Sequence, residues 1–106
     1  MALPSFGRDQ TNDARVLLAM LTEFPDLPAA ELTITTRLGG ETLHIYVHSD
    51  PAGFEQWRQA LGLDPQAAGG RRYRTFQSVE FSGRYHDVTV RLVGFLPLPA
   101  DDADAA

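Results

Sequence analysis

The chain of 106 residues contains no cysteine, which excludes a disulfide framework and thiolate chemistry. No apolar run is long enough to cross a membrane, and residues 1–9 lack the layout of a signal peptide, so we expect a cytoplasmic protein. Asp101, Asp102 and Asp104 lie in the tail, so the net charge of −5 becomes −2 for residues 1–100, which argues against bulk electrostatic attraction to nucleic acid.

The first predicted element is a helix that Thr11 or Asn12 would cap and that Pro25 would end. Apolar residues recur in this segment at the i, i+4, i+7 spacing of one buried helical stripe. The residues of this stripe are Val16, Leu17, Met20, Leu21 and Phe24.

Two strands joined by a tight turn follow the helix. Residues 31–38 and 41–48 alternate between apolar and polar side chains, a period of two that is typical of half-buried strands. Gly39-Gly40 between them predicts a hairpin. In the second strand the inward side chains are Leu43, Ile45 and Val47, and the outward ones are His44, Tyr46 and His48.

A second helix is predicted over residues 51–61. Ser49-Asp50-Pro51 gives a start signal, because Ser or Asp can accept hydrogen bonds from the first free N–H groups and Pro is tolerated in the first turn. A role in capping explains Ser49 better than a role as nucleophile. Trp57 lies on the apolar face of this helix, so we interpret it as a core residue, and Gly62 is placed to close the helix.

The rest of the chain predicts a loop and two more strands. We expect a loop at residues 64–71, a third strand at 72–82 and a fourth strand at 87–95. The third strand alternates less cleanly, because Phe76 is out of phase with the later apolar residues, and a bulge near Gln77-Ser78 would reconcile them. In the fourth strand Thr89 and Arg91 point outward, but Val93 and Phe95 make this second face less polar than the outer faces of the other strands, which favours a central position in the sheet.

The order of elements is αββαββ, and it predicts an α+β fold in one domain over residues 10–96, with flexible termini at 1–9 and 97–106. Two helices should cover one face of a four-stranded antiparallel sheet and leave the other face open. If the last strand inserts between its hairpin partner and strand two, the topology is a circularly permuted ferredoxin-like fold; otherwise it is a meander.

The open face is the predicted binding surface, for a protein partner or for a second copy of the chain. No catalytic signature is present, so we expect a non-catalytic binding module. His44 and His48 would lie about 13 Å apart on a strand, too far to share one metal ion, so the sequence predicts solvated histidines and neither a metal site nor a cofactor. The predicted surface residues are Thr33, Thr35, Arg37, His44, Tyr46, His48 and Arg91.

Two other functions stay open at this stage. A small-ligand protein or enzyme would have a pocket between the sheet and the loop at 64–74, with His44, His48 or His86 as base. A single-stranded nucleic-acid binder would stack bases on aromatic side chains of the open sheet face, Tyr46 among them, beside a basic cluster. That basic–aromatic cluster consists of Arg71, Arg72, Arg74, Tyr73 and Phe76.

Four segments carry a resemblance to known proteins. They are Asp26-Leu27-Pro28, the strand that ends in Val47-His48, the run Phe54-Glu55-x-Trp57-Arg58-x-Ala60-Leu61-Gly62, and Val88-x-Val90-x-Leu92-x-Gly94. Over about residues 14–95 the chain resembles small uncharacterised proteins of actinobacteria and their mobile elements. The resemblance implies an intracellular protein, and it implies no activity, cofactor or catalytic residue.

Overall fold

The computed structural model describes residues 7–37 and 40–98. The predicted turn residue Gly39 and most of both predicted flexible termini lie outside these residues. One short 3-10 helix precedes α1 and another precedes β3. The main elements are α1 (Thr11–Glu23), β1 (Glu31–Arg37), β2 (Gly40–His48), α2 (Pro51–Leu61), β3 (Gly69–Arg72), β4 (Phe76–Tyr85) and β5 (Val88–Pro97).

The strands form one mixed sheet in the order β1-β2-β5-β4-β3. The pairs β1–β2, β5–β4 and β4–β3 are antiparallel, whereas β2 and β5 are parallel. The predicted α+β class is therefore confirmed, but the predicted four-stranded antiparallel sheet is wrong on both counts. The last strand inserts between its hairpin partner β4 and β2, which places the strand with the less polar second face at the centre.

The additional strand, β3, occupies Gly69–Arg72, most of which was predicted to be a loop. All four of its residues are exposed, so it has no alternation by which a sequence pattern could reveal it. The single strand predicted over residues 72–82 is broken instead by a turn, in which the Tyr73 backbone N–H donates to the Phe76 carbonyl at 2.8 Å. This turn joins β3 to β4 as a hairpin.

The predicted bulge near Gln77-Ser78 is absent from β4. This strand pairs with β5 without interruption, from Phe76 opposite Pro97 to Tyr85 opposite Val88. Phe76 is out of phase with the later apolar residues because it lies on the opposite face of the sheet. The β4–β5 turn at His86 and Asp87 has φ angles of 50° and 65°, as a two-residue hairpin turn of type I′ requires.

The core lies between the two helices and one face of the sheet. Trp57 is 1% exposed, and its indole N–H donates to the Pro28 carbonyl at 2.9 Å, so the interpretation of Trp57 as core is confirmed. Gly94 in β5 lies directly beneath the Phe54 ring and leaves room for it. The side chains that are less than 2% exposed are Trp57, Met20, Leu43, Ile45, Leu92 and Val90.

The helix ends correct two predictions about capping. Asp50 caps α2, because its carboxylate accepts from the Gly53 backbone N–H at 2.9 Å, so the expectation for Ser49 is wrong. The N-cap of α1 is Gln10, without a capping side chain, rather than Thr11 or Asn12. At the other end of α2, Gly62 adopts φ 67°, and its predicted role as C-cap is confirmed.

The predicted stripe of α1 is only partly buried. Val16 and Met20 are buried against the sheet, but Leu21 is 40% exposed and neighbouring Leu18 is 68% exposed. The helix therefore buries a narrower face than its apolar residues suggest.

Candidate functional site

The open face of the sheet is built from the residues that alternate with the core positions. In the cross-strand register, Tyr46 lies next to Val93 and Glu31, and His48 lies next to Phe95. Val93 is only 5% exposed although no helix covers this face. The surrounding side chains of the open face therefore shield Val93 from solvent.

A connected set of aromatic rings runs over this face, and we call it the aromatic row. The Phe95 ring centroid lies 6.1 Å from that of Tyr46, 5.1 Å from that of His48 and 6.4 Å from that of Phe76. Tyr73 stacks on Phe76 with a centroid distance of 4.5 Å. The row therefore links the central strands β2 and β5 to the β3–β4 hairpin.

The two histidines of β2 have different environments. His44 is only 4% exposed, and its Nδ1 lies 3.2 Å from the Tyr46 hydroxyl, so the prediction of a solvated histidine is wrong there. The side chain of His48 is 60% exposed, with its Nε2 3.5 Å from a Glu31 carboxylate oxygen. Of the two, His48 is the one that can meet a ligand or partner.

The other predicted surface residues differ in how available their side chains are to a binding partner. Thr33 is exposed on β1, whereas the Thr35 hydroxyl donates to the Thr42 carbonyl at 3.4 Å. The Arg91 guanidinium is bound to Glu80, with an Nη2–Oε2 distance of 2.5 Å, so its charge is compensated. The side chain of Arg37 lies outside the described part of the structure.

The residues of the nucleic-acid alternative fall on two sides of the sheet. Arg71 pairs with Ser78 on the side of the open face, and Phe76 belongs to the aromatic row. Arg74 occupies the exposed turn between β3 and β4. Arg72 alternates with Arg71 along β3 and so belongs to the opposite side. The structure thus brings Arg71 and Phe76 to the same side of the sheet.

Two depressions lie along the aromatic row. The first, which we call the end groove, has a volume of about 490 Å³. The second, which we call the polar depression, has a volume of about 250 Å³. The end groove is lined by His48, Ser49, Thr75, Phe76, Phe95, Leu96 and Pro97, and the polar depression by Gly70, Arg71, Tyr73, Ser78, Glu80 and Arg91.

Ser49 stands at the wall of the end groove in an unusual backbone conformation. Its φ of 54° lies in the left-handed region, which a non-glycine residue seldom adopts. The Ser49 backbone N–H donates to the Phe95 carbonyl at 2.8 Å, which holds the β2–α2 connection against the end of β5. This hydrogen bond therefore fixes the position of Ser49 in the wall of the groove.

Sequence reasoning missed Phe95 as a member of the site. A signal for Phe95 existed, since Val93 and Phe95 made the second face of β5 less polar than the outer faces of the other strands. Tyr73 was predicted as part of the basic–aromatic cluster, and its stacking on Phe76 depends on the turn between β3 and β4.

The described residues also restrict the chemistry of the site. Within residues 7–37 and 40–98, no three His, Cys, Asp or Glu side chains are grouped so that they could hold a metal ion. No helix in the described part of the chain is long and apolar enough to span a bilayer.

Comparisons of the chain with protein-family models, with the sequences of curated proteins and with solved structures found no match.

Proposed function

We propose that the protein is a non-catalytic binding module that associates with a protein surface through the open face of its sheet. The partner that we propose for this face is a second copy of the chain. The observation that carries the proposal is the aromatic row, whose rings remain partly exposed on a face that no helix covers.

The side chains of the open face suit association with another protein. Tyrosine and arginine are enriched among the residues that dominate the energetics of protein interfaces. Tyr46 occupies the centre of the face beside the buried Val93, and Arg71 occupies its β3 side. The near-neutral charge of −2 for residues 1–100 imposes little repulsion between two copies.

The open face carries charges of both signs on either side of its centre. On β1, Glu31 and Arg37 occupy positions of this face. On β3 and β4, Arg71, Glu80 and Arg84 occupy positions of this face. A two-fold axis parallel to the strands would place β1 of one copy over β3 and β4 of the other, so a homodimer would not bring only like charges together.

Tyr46→Asp tests this proposal, because it places a charge at the centre of the interface. We expect the wild-type chain to show a dimer mass by light scattering at high concentration, and the variant to remain a monomer. Thr33→Arg is a second variant, since Thr33 is exposed on the same face and its replacement removes no packed ring. Circular dichroism would verify that both variants are folded.

Leu18→Asp is the matched control, because Leu18 is 68% exposed on α1, in the other layer of the molecule. It should leave the association unchanged. A wild-type chain that stays monomeric at all concentrations would reject the second copy as occupant. A dimer that survives both Tyr46→Asp and Thr33→Arg would reject the open face as the interface.

We further propose that the fold is a circularly permuted ferredoxin-like arrangement with β3 added at one edge. The supporting facts are the strand order and the central parallel pair of β2 and β5. The cysteine-free composition and the resemblance to small actinobacterial proteins support a cytoplasmic location.

A further inference from the structure

We infer that the end groove binds a small planar aromatic molecule that carries an anionic group, which is the chemistry of a mononucleotide. The site is separate from the centre of the open face. Phe95 and Leu96 belong to opposite faces of β5, and both line the groove, so it opens at the end of the sheet. Ligand binding there does not require the association proposed above, although the groove shares Phe95, His48 and Phe76 with the aromatic row of that interface.

The walls of the groove suit a flat ring. Phe95 is nearly parallel to His48, at an interplanar angle of 22°, and it meets Phe76 at 64°. A planar ligand can therefore find ring faces and ring edges in the same groove, and both arrangements are favourable for aromatic pairs. Phe76 is 37% exposed, which leaves part of its ring accessible from solvent.

Positive charge is available next to these rings. Arg71 lines the polar depression together with Tyr73, whose ring stacks on Phe76 of the end groove. Among the described residues, the ion pairs of the structure engage Arg58 and Arg91 but not Arg71. A guanidinium can bind a phosphate or carboxylate through two parallel hydrogen bonds.

The two depressions are neighbours, so one ligand can use both. Tyr73 lines the polar depression, and its stacking partner Phe76 lines the end groove. Arg71 and Phe95 both flank Ser78 in the register, which separates them by about two strand spacings of ~4.8 Å. A ring in the groove and an anionic group near Arg71 are compatible with a ligand in which a sugar separates the two.

Size and charge favour a free small molecule over a nucleic-acid strand. The groove volume of about 490 Å³ falls within the range of small-molecule sites. A strand is bound largely through many phosphate contacts, whereas residues 1–100 carry a net charge of −2. The arginines that line the two depressions are Arg71 and Arg91, and Arg91 is paired with Glu80. We therefore infer that the ligand of the end groove is mononucleotide-like.

Isothermal titration calorimetry with adenosine 5′-monophosphate tests the inference. Adenosine lacks the anionic group, and ribose 5-phosphate lacks the ring, so both should bind about tenfold more weakly or not at all. A short single-stranded oligodeoxyadenylate is the fourth ligand. It should bind no more tightly per nucleotide than the monophosphate.

Variants localise the binding to the groove. Phe76→Ala and Arg71→Ala should each weaken monophosphate binding by about two- to tenfold, because each removes one half of the recognition. Arg15→Ala is the matched control, since Arg15 is exposed on α1. This variant should bind the monophosphate with the affinity of the wild type. If Phe76→Ala fails to fold, Arg71→Ala alone carries the test, because Arg71 is exposed on an edge strand.

Three outcomes would overturn the inference. The first is an absence of monophosphate binding at millimolar concentration, and the second is equal affinity for the monophosphate and adenosine. The third is much tighter binding of the oligonucleotide with a steep dependence on salt, which would assign the groove to a strand. Light scattering on the same samples separates this inference from the proposed association, because a monomer that binds the ligand rejects only the association.

Discussion

The two faces of the sheet use aromatic side chains in opposite ways. On the covered face, Trp57 and Phe54 are 1% and 5% exposed and are packed between α2 and the strands. On the open face, Phe76 and Tyr73 are 37% and 41% exposed and stack on each other. Burial gives the covered rings a large part in stability, whereas the open rings gain little from folding.

This difference separates the aromatic residues that contribute to stability from those that could contribute to binding. The presence of a buried aromatic side chain is accounted for by its role in the core. The rings of the aromatic row keep apolar surface in water, and a binding partner would bury the remainder. Substitutions in the two sets should therefore affect different measurements: stability for the covered face, and association or ligand binding for the open face.

The largest expected effect is that of Trp57→Ala. Removing this side chain should lower the free energy of unfolding by about 3–5 kcal/mol, because it leaves a cavity in the core. Its loss also leaves the Pro28 carbonyl without its donor. Urea denaturation would measure this change. Phe76→Ala is the matched substitution on the open face and should cost less than about 1 kcal/mol; equal losses would contradict the distinction between the faces.

Gly94→Ala tests how tightly the covered face is packed. A Cβ atom at this position would lie 2.8 Å from Cδ2 of Phe54, so the helix or the ring would have to move. We expect a loss of about 1–3 kcal/mol in the free energy of unfolding. Gly7→Ala is the control, since a Cβ there has no heavy atom within 4 Å. A neutral Gly94→Ala would show that α2 can shift on the sheet at little cost.

The smallest effect concerns Tyr85, which connects the covered face to α1. Burial, together with the hydrogen bond that its hydroxyl donates to Glu23 at 2.7 Å, raises the pKa of Tyr85 to about 12. Because the neutral phenol is favoured in the folded state, its contribution to stability is present below pH 10 and is lost as the pH rises toward about 12.

Tyr85→Phe should therefore reduce stability slightly, by about 1 kcal/mol at neutral pH, and should flatten the fall of stability in the alkaline range. Urea denaturation between neutral pH and the alkaline range would measure both effects. Glu23→Gln should flatten this fall in part, since it removes the acceptor charge. A fall that is equally steep in Tyr85→Phe would assign it to another group.

The sequence was informative wherever local patterns decide the structure. The alternation of β2 and the start and stop signals of α2 predicted both elements within one residue of their observed bounds. Gly62 and Trp57 have the predicted roles because left-handed caps and helical spacing depend on few residues.

Non-local pairing decided the rest. The four residues of β3 are exposed and have no apolar pattern, so pairing with β4 alone makes them a strand. The less polar second face of β5 favoured a central position, but neither strand carries a pattern that indicates their parallel pairing. Phe76 was misread for the same reason, since only the register with β5 shows that it faces away from the core.

The candidate site was predicted in part. Tyr46 and His48 follow from the alternation of β2, and both belong to the aromatic row. The burial of His44 could not be predicted, because neighbouring strands supply the side chains around it. Phe95 joins the site only through the sheet order, which no single segment encodes. Tyr73 was predicted beside Phe76, but the stacking of the two rings depends on the hairpin turn.

The position of β5 has a consequence for synthesis of the chain. Leu43 pairs with Val90, almost half the chain away, and β5 follows all the other described strands in the sequence. Until β5 leaves the ribosome, β2 and β4 each have one edge that only β5 can pair, so the nascent chain must keep two apolar strands apart from other chains. Folding is then delayed until β5 has emerged, and it proceeds at the slower rate that contacts between distant residues impose.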